Sequence, residues 1–291
     1  MSKPIVAILA QGSMGAGIGR RLAEKGLEVR TSLAGRSAAS ARRAQEAGMR
    51  DVPEAGLAEA DFFLSIVPPG DALALVERLR PAITAANRKP VYVDCNAVNT
   101  ETARRVAAAV GTTGAPFVDG GIIGGPPRPL ASAPDDPGPK LYVSGPNAAR
   151  LLVLRDYGLD VRVLAGPAES ASALKMSYAG ITKGFTALGS LMFLAAHRAG
   201  TAAELHAELA DSQKALLSWL DGSIPRMYDK AYRWVAEMEE ISGFVGKEMS
   251  DSAVHAAFAR FYDRIARDHA GAQAETGALS AFLAQGKGKP G

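Results

Sequence analysis

The chain of 291 residues is 47% hydrophobic and 22% charged, carries a net charge of +3 and has one cysteine, Cys95. That length is enough for two cores, and the composition is that of a soluble globular protein. Scattered basic residues and a small net charge argue against a nucleic-acid or membrane surface, and a lone cysteine excludes an internal disulfide and fits a reducing compartment.

Met1 to Pro4 lead into an apolar run over 5–10 that ends in a glycine turn rather than a cleavage site, so no signal peptide is expected. No apolar run approaches the ~20 residues that span a bilayer, which makes the cytoplasm the expected location. The run 5–10 reads as a buried strand, and 15–25 as a helix with Ile18 and Leu22 on one face. A second strand is expected over 27–32. Another covers 62–67 and is stopped by Pro68-Pro69, before a helix that Asp71 can cap. Residues 91–94 form the next strand, with a helix beginning near Asn99-Thr100. Runs at 117–119, 141–144 and 161–164 complete the series. Strands alternating with helices imply parallel pairing through right-handed crossovers, hence a doubly wound, Rossmann-type α/β sheet.

Between Gly120 and Pro139, eleven of twenty residues are Gly or Pro. Because this segment follows a strand end, its first half reads as a functional loop and its second half, 131–139, as mobile. Past Gly166 the pattern changes. Leu174, Tyr178, Ile181, Phe185, Leu188 and Met192 recur at spacings of four and three, the apolar stripe of one long helix. Helices are expected over 201–221, 226–242 and 250–285, with no further strand. The expected domains are therefore 1–166, binding the dinucleotide, and 167–291, all-helical, completing the substrate site and forming a homodimer.

Ala10-Gln11-Gly12-Ser13-Met14-Gly15 lies between the first strand and the first helix, as the glycine fingerprint of a dinucleotide site does, with Ala10 at the first glycine. Gly12 lets the backbone approach a pyrophosphate, Gly15 lets helix and strand pack closely, and the helix N-terminus offers N–H groups to phosphate. An NAD site wants an acid about 20 residues on, to hold the ribose 2′-hydroxyl. From Val29 to Gln45 there is none; Gly35-Arg36-Ser37 stands there instead. A guanidinium and a hydroxyl suit a 2′-phosphate, so NADP(H) is the expected cofactor. Arg42 and Arg43 read as ordinary solvated arginines at a helix start.

With these residues the sequence resembles the β-hydroxyacid dehydrogenase and 6-phosphogluconate dehydrogenase superfamily. Gly12 to Gly15, Val67-Pro68-Pro69, Asp94-Cys95-Asn96-Ala97, Asp119-Gly120-Gly121-Ile122-Ile123-Gly124-Gly125 and Ala173-Leu174-Lys175-Met176 carry the likeness. The segment Arg233 to Ile241 is similar to the helical domain of a little-characterised branch of phosphogluconate-dehydrogenase-like proteins. The resemblance implies cofactor contacts from Gln11, Gly12, Ser13, Met14, Gly15, Val67, Pro68, Pro69 and Asn96. It implies substrate contacts from Gly121, Ile122, Ile123, Gly124 and Gly125, and Lys175 as the catalytic base. The chain departs from the family at Ala179, Tyr178, Thr182 and Ile123, where the usual carboxylate-binding set is missing.

Removing a hydroxyl proton as hydride leaves needs a base, and Lys175 serves once burial lowers its pKa. Tyr178, a turn later, is the second candidate. The four histidines show no metal-binding spacing, and no metal is expected. The resulting expectation is an NADP-dependent oxidoreductase interconverting a small hydroxy acid or sugar acid and its keto form. An imine reductase and a non-catalytic NADP-binding regulator are the alternatives.

Overall fold

The computed structural model describes residues 3–246 and 250–285. Its contacts fall into two compact units, residues 1–176 and 177–291. The division lies within the long helix rather than ahead of it near Gly166-Pro167.

The first unit runs β1 (Val6–Leu9), α1 (Ser13–Glu24), β2 (Val29–Thr31), α2 (Ala38–Glu46), β3 (Arg50–Asp51), α3 (Glu54–Ala58), β4 (Phe62–Ser65) and α4 (Ala72–Ala85). It continues with β5 (Val91–Asp94), α5 (Thr100–Gly111), β6 (Phe117–Ile123), β7 (Lys140–Ser144), a 3₁₀ helix at Ala148–Tyr157 and β8 (Asp160–Val163). These eight strands make one sheet in the order β3-β2-β1-β4-β5-β6-β7-β8. Alternation of side chains explains how both its faces are covered. Val6 and Ile8 of β1, Phe62 and Leu64 of β4, and Val91 and Val93 of β5 pack beneath Ile18 and Leu22 of α1 and Ala44 of α2. Ala7, Leu9, Phe63 and Tyr92 point the other way, into Leu57, Leu79, Ile83 and Val106 of α3, α4 and α5.

The doubly wound reading holds, with local corrections. Every strand pair is parallel except β6 and β7, which are antiparallel, with Ile123 opposite Lys140 and Asp119 opposite Ser144. The expected substrate loop residues Gly121, Ile122 and Ile123 are thus in the sheet ladder, and only residues 124–139 form the connection. The connection makes contacts with α1. Buried Arg21 of α1 donates to the Asp136 carboxylate and carbonyl (3.1 and 3.0 Å) and to the Arg128 carbonyl at 3.3 Å, and the Leu130 N–H reaches Glu24. Asp71 stands at the start of α4 but makes no capping bond, since a 3₁₀ turn, Pro69–Asp71, precedes the helix. Asn99 does cap α5, accepting from the Thr102 N–H at 2.9 Å.

From Ser170 on the chain is helical: α6 (Ser170–Ala199), α7 (Ala202–Ser212), α8 (Lys214–Ser223), a 3₁₀ turn at Pro225–Lys230, α9 (Ala231–Val245), α10 (Ser252–Ala270) and α11 (Ala274–Ala284). The stretches expected as single helices at 201–221 and 250–285 are each broken. In the second break Gln273 is left-handed (φ 54°), and the Asp268 carboxylate caps α11 through the Glu275 and Thr276 N–H groups.

Within the second unit, α6 packs through its small residues. A side chain at Gly180 would meet Ile241 of α9 and His255 of α10, one at Gly184 would meet Phe258, and one at Gly189 would meet Leu220 of α8. Phe193 stacks on Phe282 of α11 at 3.8 Å. The apolar stripe of this helix is open: Tyr178, Ile181, Phe185, Leu188 and Met192 are all exposed. The helix is also long and apolar enough to span a bilayer by length and composition, with mean hydropathy 1.3 over its best window, contrary to the sequence reading; 44% of that window is buried in the protein.

Candidate cofactor and active site

The strand order reverses between β1 and β4, and in open sheets of this kind ligands sit beyond the carboxyl ends of the strands at that point. Gln11 to Gly15 follow β1 there, and Val67-Pro68-Pro69 follow β4, with Ala10 donating to the Ile66 carbonyl at 3.1 Å to hold the two segments side by side. Gly12 and Ser13 are exposed, and Met14 is half-buried. Helix α1 begins without a side-chain cap, so its first N–H groups stay open to an anion. A side chain at Gly12 would touch nothing within 4 Å, whereas one at Gly15 would run into the Ala10 carbonyl. The two glycines thus separate into an open cradle and a packing contact. These residues fit a dinucleotide pyrophosphate.

Arg36 is exposed on a tight turn, its N–H donating to the Leu33 carbonyl at 3.0 Å, with Gly35 in the left-handed region at φ 70°. Ser37 is exposed too, and its hydroxyl caps α2 by accepting from the Ser40 N–H. Asn96 is buried, and its amide is engaged within the protein. The oxygen accepts from the Val67 N–H at 2.6 Å, while the nitrogen donates to Ser65 Oγ and to the Asp94 carboxylate. Its side chain therefore ties the end of β5 to the segment after β4 and fixes where Val67 and Pro68 stand.

Lys175 lies in the second turn of α6, against β6. Gly121 explains that approach: a side chain there would come within 2.8 Å of the Ala171 carbonyl and 3.3 Å of Lys175 Cβ, while one at Gly120 would instead come within 2.9 Å of the Asp94 carbonyl at the end of β5. Lys175 Nζ donates to the Ile122 carbonyl at 2.8 Å. Burial lowers its pKa from 10.5 to about 8, which lets the amine both hold and release a proton near neutrality. Ile122 is buried, Ile123 half-buried, and Gly124 and Gly125 exposed at the mouth of the hairpin.

Residues 6–133 match the model of the NAD binding domain of 6-phosphogluconate dehydrogenase, and residues 196–265 match a domain of unknown function, DUF1932. Residues 6–133 are an NAD-binding domain of the 6-phosphogluconate dehydrogenase type. The second match covers the Arg233 to Ile241 segment whose likeness the sequence showed. Among solved structures the chain is similar to a conserved protein of unknown function described as resembling 3-hydroxyacid dehydrogenases, at 26% identity and TM-score 0.66, covering 91% of this chain and 98% of that one. It shares its fold with a 3-hydroxyisobutyrate dehydrogenase of Mycobacterium tuberculosis (19% identity, TM-score 0.67, 97% and 99% covered). It also shares it with an imine reductase of Streptomyces aurantiacus (20%, 0.53, 98% and 100%).

Residues that sequence reasoning did not assign to the candidate site make contacts with its segments. Asp119, from the motif read as a substrate loop, is buried and accepts from the Ser172 N–H (2.8 Å) and hydroxyl (2.5 Å), and from Ser144 Oγ (3.0 Å). Burial raises its pKa against the pull of those bonds. It holds the first turn of α6, and with it Lys175. Asp51, at the end of β3, accepts from the Leu33 N–H at 2.9 Å and shapes the turn that presents Arg36. Arg43, read as solvated, donates from Nε to the Gln11 carbonyl at 2.8 Å. Tyr178 falls in the second unit, 48% exposed at the head of the open stripe.

Proposed function

We propose that the protein is an NADP-dependent oxidoreductase that interconverts a small hydroxy acid or sugar acid and its keto form, with Lys175 as acid/base. The observation that carries this reading is a half-buried lysine of α6 whose pKa is lowered to about 8 and whose amine donates to the Ile122 carbonyl on β6, a strand of the segment that matches an NAD-binding domain. The bound cofactor supplies or accepts the hydride. Gly12 and the N-terminus of α1 bind the pyrophosphate, and Arg36 and Ser37 bind the ribose 2′-phosphate by charge-assisted hydrogen bonds. Val67, Pro68 and Pro69, positioned by Asn96, line the nicotinamide side. Lys175 takes the hydroxyl proton in oxidation and returns it to the carbonyl oxygen in reduction. Gly121 to Gly125 shape the substrate side next to it. The exposed stripe of α6 supports a homodimer.

The test is a binding and turnover screen. Submicromolar NADPH binding with weaker NADH binding, and turnover of at least one compound in a hydroxy-acid and keto-acid panel, is the expected result. Turnover of cyclic imines alone would replace this reading with imine reduction, which the shared fold permits. Tight NADPH binding with no turnover in either panel would make the protein a cofactor-binding regulator.

A further inference from the structure

We propose that Arg43 is a second cation of the 2′-phosphate site, tied to the glycine turn so that the two phosphate-binding segments act as one; this rests on the NADP reading above. Arg43 lies in the last turn of α2, 32 residues from Gln11 in sequence. Its Nε donates to the Gln11 carbonyl at 2.8 Å, and its Nη2 donates to Ser40 Oγ at 3.1 Å. Ser40 Oγ in turn lies 3.2 Å from the Ser37 hydroxyl. The guanidinium is therefore pinned between the backbone of the pyrophosphate turn and the hydroxyls at the start of α2. It is half-buried where its neighbour Arg42 is exposed. A cation already held by two bonds loses little side-chain freedom when it meets an anion.

Gln11 supplies an independent mark of a built polar site. It is fully buried, and its Nε2 donates to Thr31 Oγ1 and to the Ser32 carbonyl (3.0 Å) at the end of β2. Its Oε1, equally buried, has no partner among the described residues. Orphaned buried oxygens are rare and call for a reason. Here the amide braces β1 against β2 beside the ribose position, and the same residue's carbonyl receives Arg43. Residues 29–45 bring cations and hydroxyls but no acid, and the carboxylate that does reach the turn, Asp51, is directed at the Leu33 N–H. Arg36 on its turn and Arg43 on its brace then form two sides of a pocket for a dianionic phosphate, with Ser37 and Ser40 between them.

The experiment compares 2′,5′-ADP with 5′-AMP, fragments that differ only in the 2′-phosphate, by calorimetry on the wild-type protein and on Arg43→Gln and Arg43→Lys. Arg43→Gln is expected to weaken 2′,5′-ADP by roughly tenfold or more, the loss of one charge-assisted contact, and to leave 5′-AMP within about twofold. Arg43→Lys keeps the charge without the fork and is expected to fall between, which covers the case of a poorly folded glutamine variant. Equal losses of both fragments would make Arg43 a strut for the turn and overturn the proposal. A wild-type preference for 2′,5′-ADP that survives in Arg43→Gln overturns it too, while leaving the NADP reading intact. A wild-type protein that binds 5′-AMP as tightly as 2′,5′-ADP overturns both.

Discussion

Lys175 works, on this reading, because its amine is expensive to charge where it sits. In the unfolded chain it titrates at 10.5, in the folded protein at about 8, so the unfolded state holds the proton more tightly. Stability contributed by this group is therefore lowest below pH 8 and rises as pH increases from about 8 to 10.5. Lys175→Met keeps the apolar stem and removes the charge. The variant should be at least as stable as the wild type at pH 7 and should lose that rise, as thermal melts across the range will show. Turnover should behave in the opposite way. Oxidation in the wild type should climb towards pH 8 and reduction should fall above it, and Lys175→Met should cut both by about 10²–10⁴-fold, with the NADPH dissociation constant nearly unchanged. A variant that keeps more than about a third of wild-type turnover, far outside that range, would remove Lys175 from the chemistry and leave Tyr178 to be tested. A stable but inactive protein is an outcome that a merely structural lysine does not give.

The packing of α6 on β6 sets where that amine stands, and glycine makes the packing possible. Gly121→Ala places a methyl 2.8 Å from the Ala171 carbonyl, a backbone atom that cannot swing aside. The first turn of α6 must move, at a cost of about 1–3 kcal/mol, and Lys175 moves with it. Turnover should fall at least tenfold, since small displacements of catalytic groups are costly. Gly111→Ala, at the end of α5 with nothing within 4 Å, is the control and should leave turnover unchanged and the melting temperature no lower. This contact also marks the limit of what the sequence discloses. Strands β1, β4 and β5 are legible because burial on both faces makes them continuous apolar runs. β3 is not, because Arg50 and Asp51 are both exposed and apolar patterning has nothing to act on. Gly120-Gly121 reads as the opening of a loop, yet Gly121 makes room for the helix that crosses the strand and Gly120 for the end of β5, and no local pattern distinguishes these causes. Gly12, Gly15, Arg36 and Lys175 stand out through their placement beside strands and in the family's motifs. Arg43 and Asp51 do not, since each acts through a partner distant in sequence, and Asp119, though within a motif, gives no sign there that it anchors α6 through Ser144 and Ser172.

Periodicity reveals that one face of a helix is apolar, not what covers it, and at the scale of the whole molecule that difference yields a prediction. Ile181, Phe185, Leu188 and Met192 are 61%, 52%, 47% and 53% exposed, and Trp219 of α8 lies edge-on to Phe185 at 6.4 Å. Contiguous exposed aromatic and aliphatic side chains at helical spacing mark an interaction surface rather than ordinary surface variation. The occupant expected is a second copy of the chain, so light scattering at micromolar concentration should give twice the monomer mass. Because α6 also meets the length and hydropathy of a membrane span, the dimer should be recovered without detergent from the soluble fraction. Phe185→Glu combined with Leu188→Glu should then produce a monomer. Both side chains are already half open, so folding should lose no more than about 0.5 kcal/mol each, and circular dichroism should show undiminished helix. A wild-type monomer would refute the dimer outright. A dimer that survives the double substitution would move the interface to another surface and leave the open stripe of α6 unexplained by self-association.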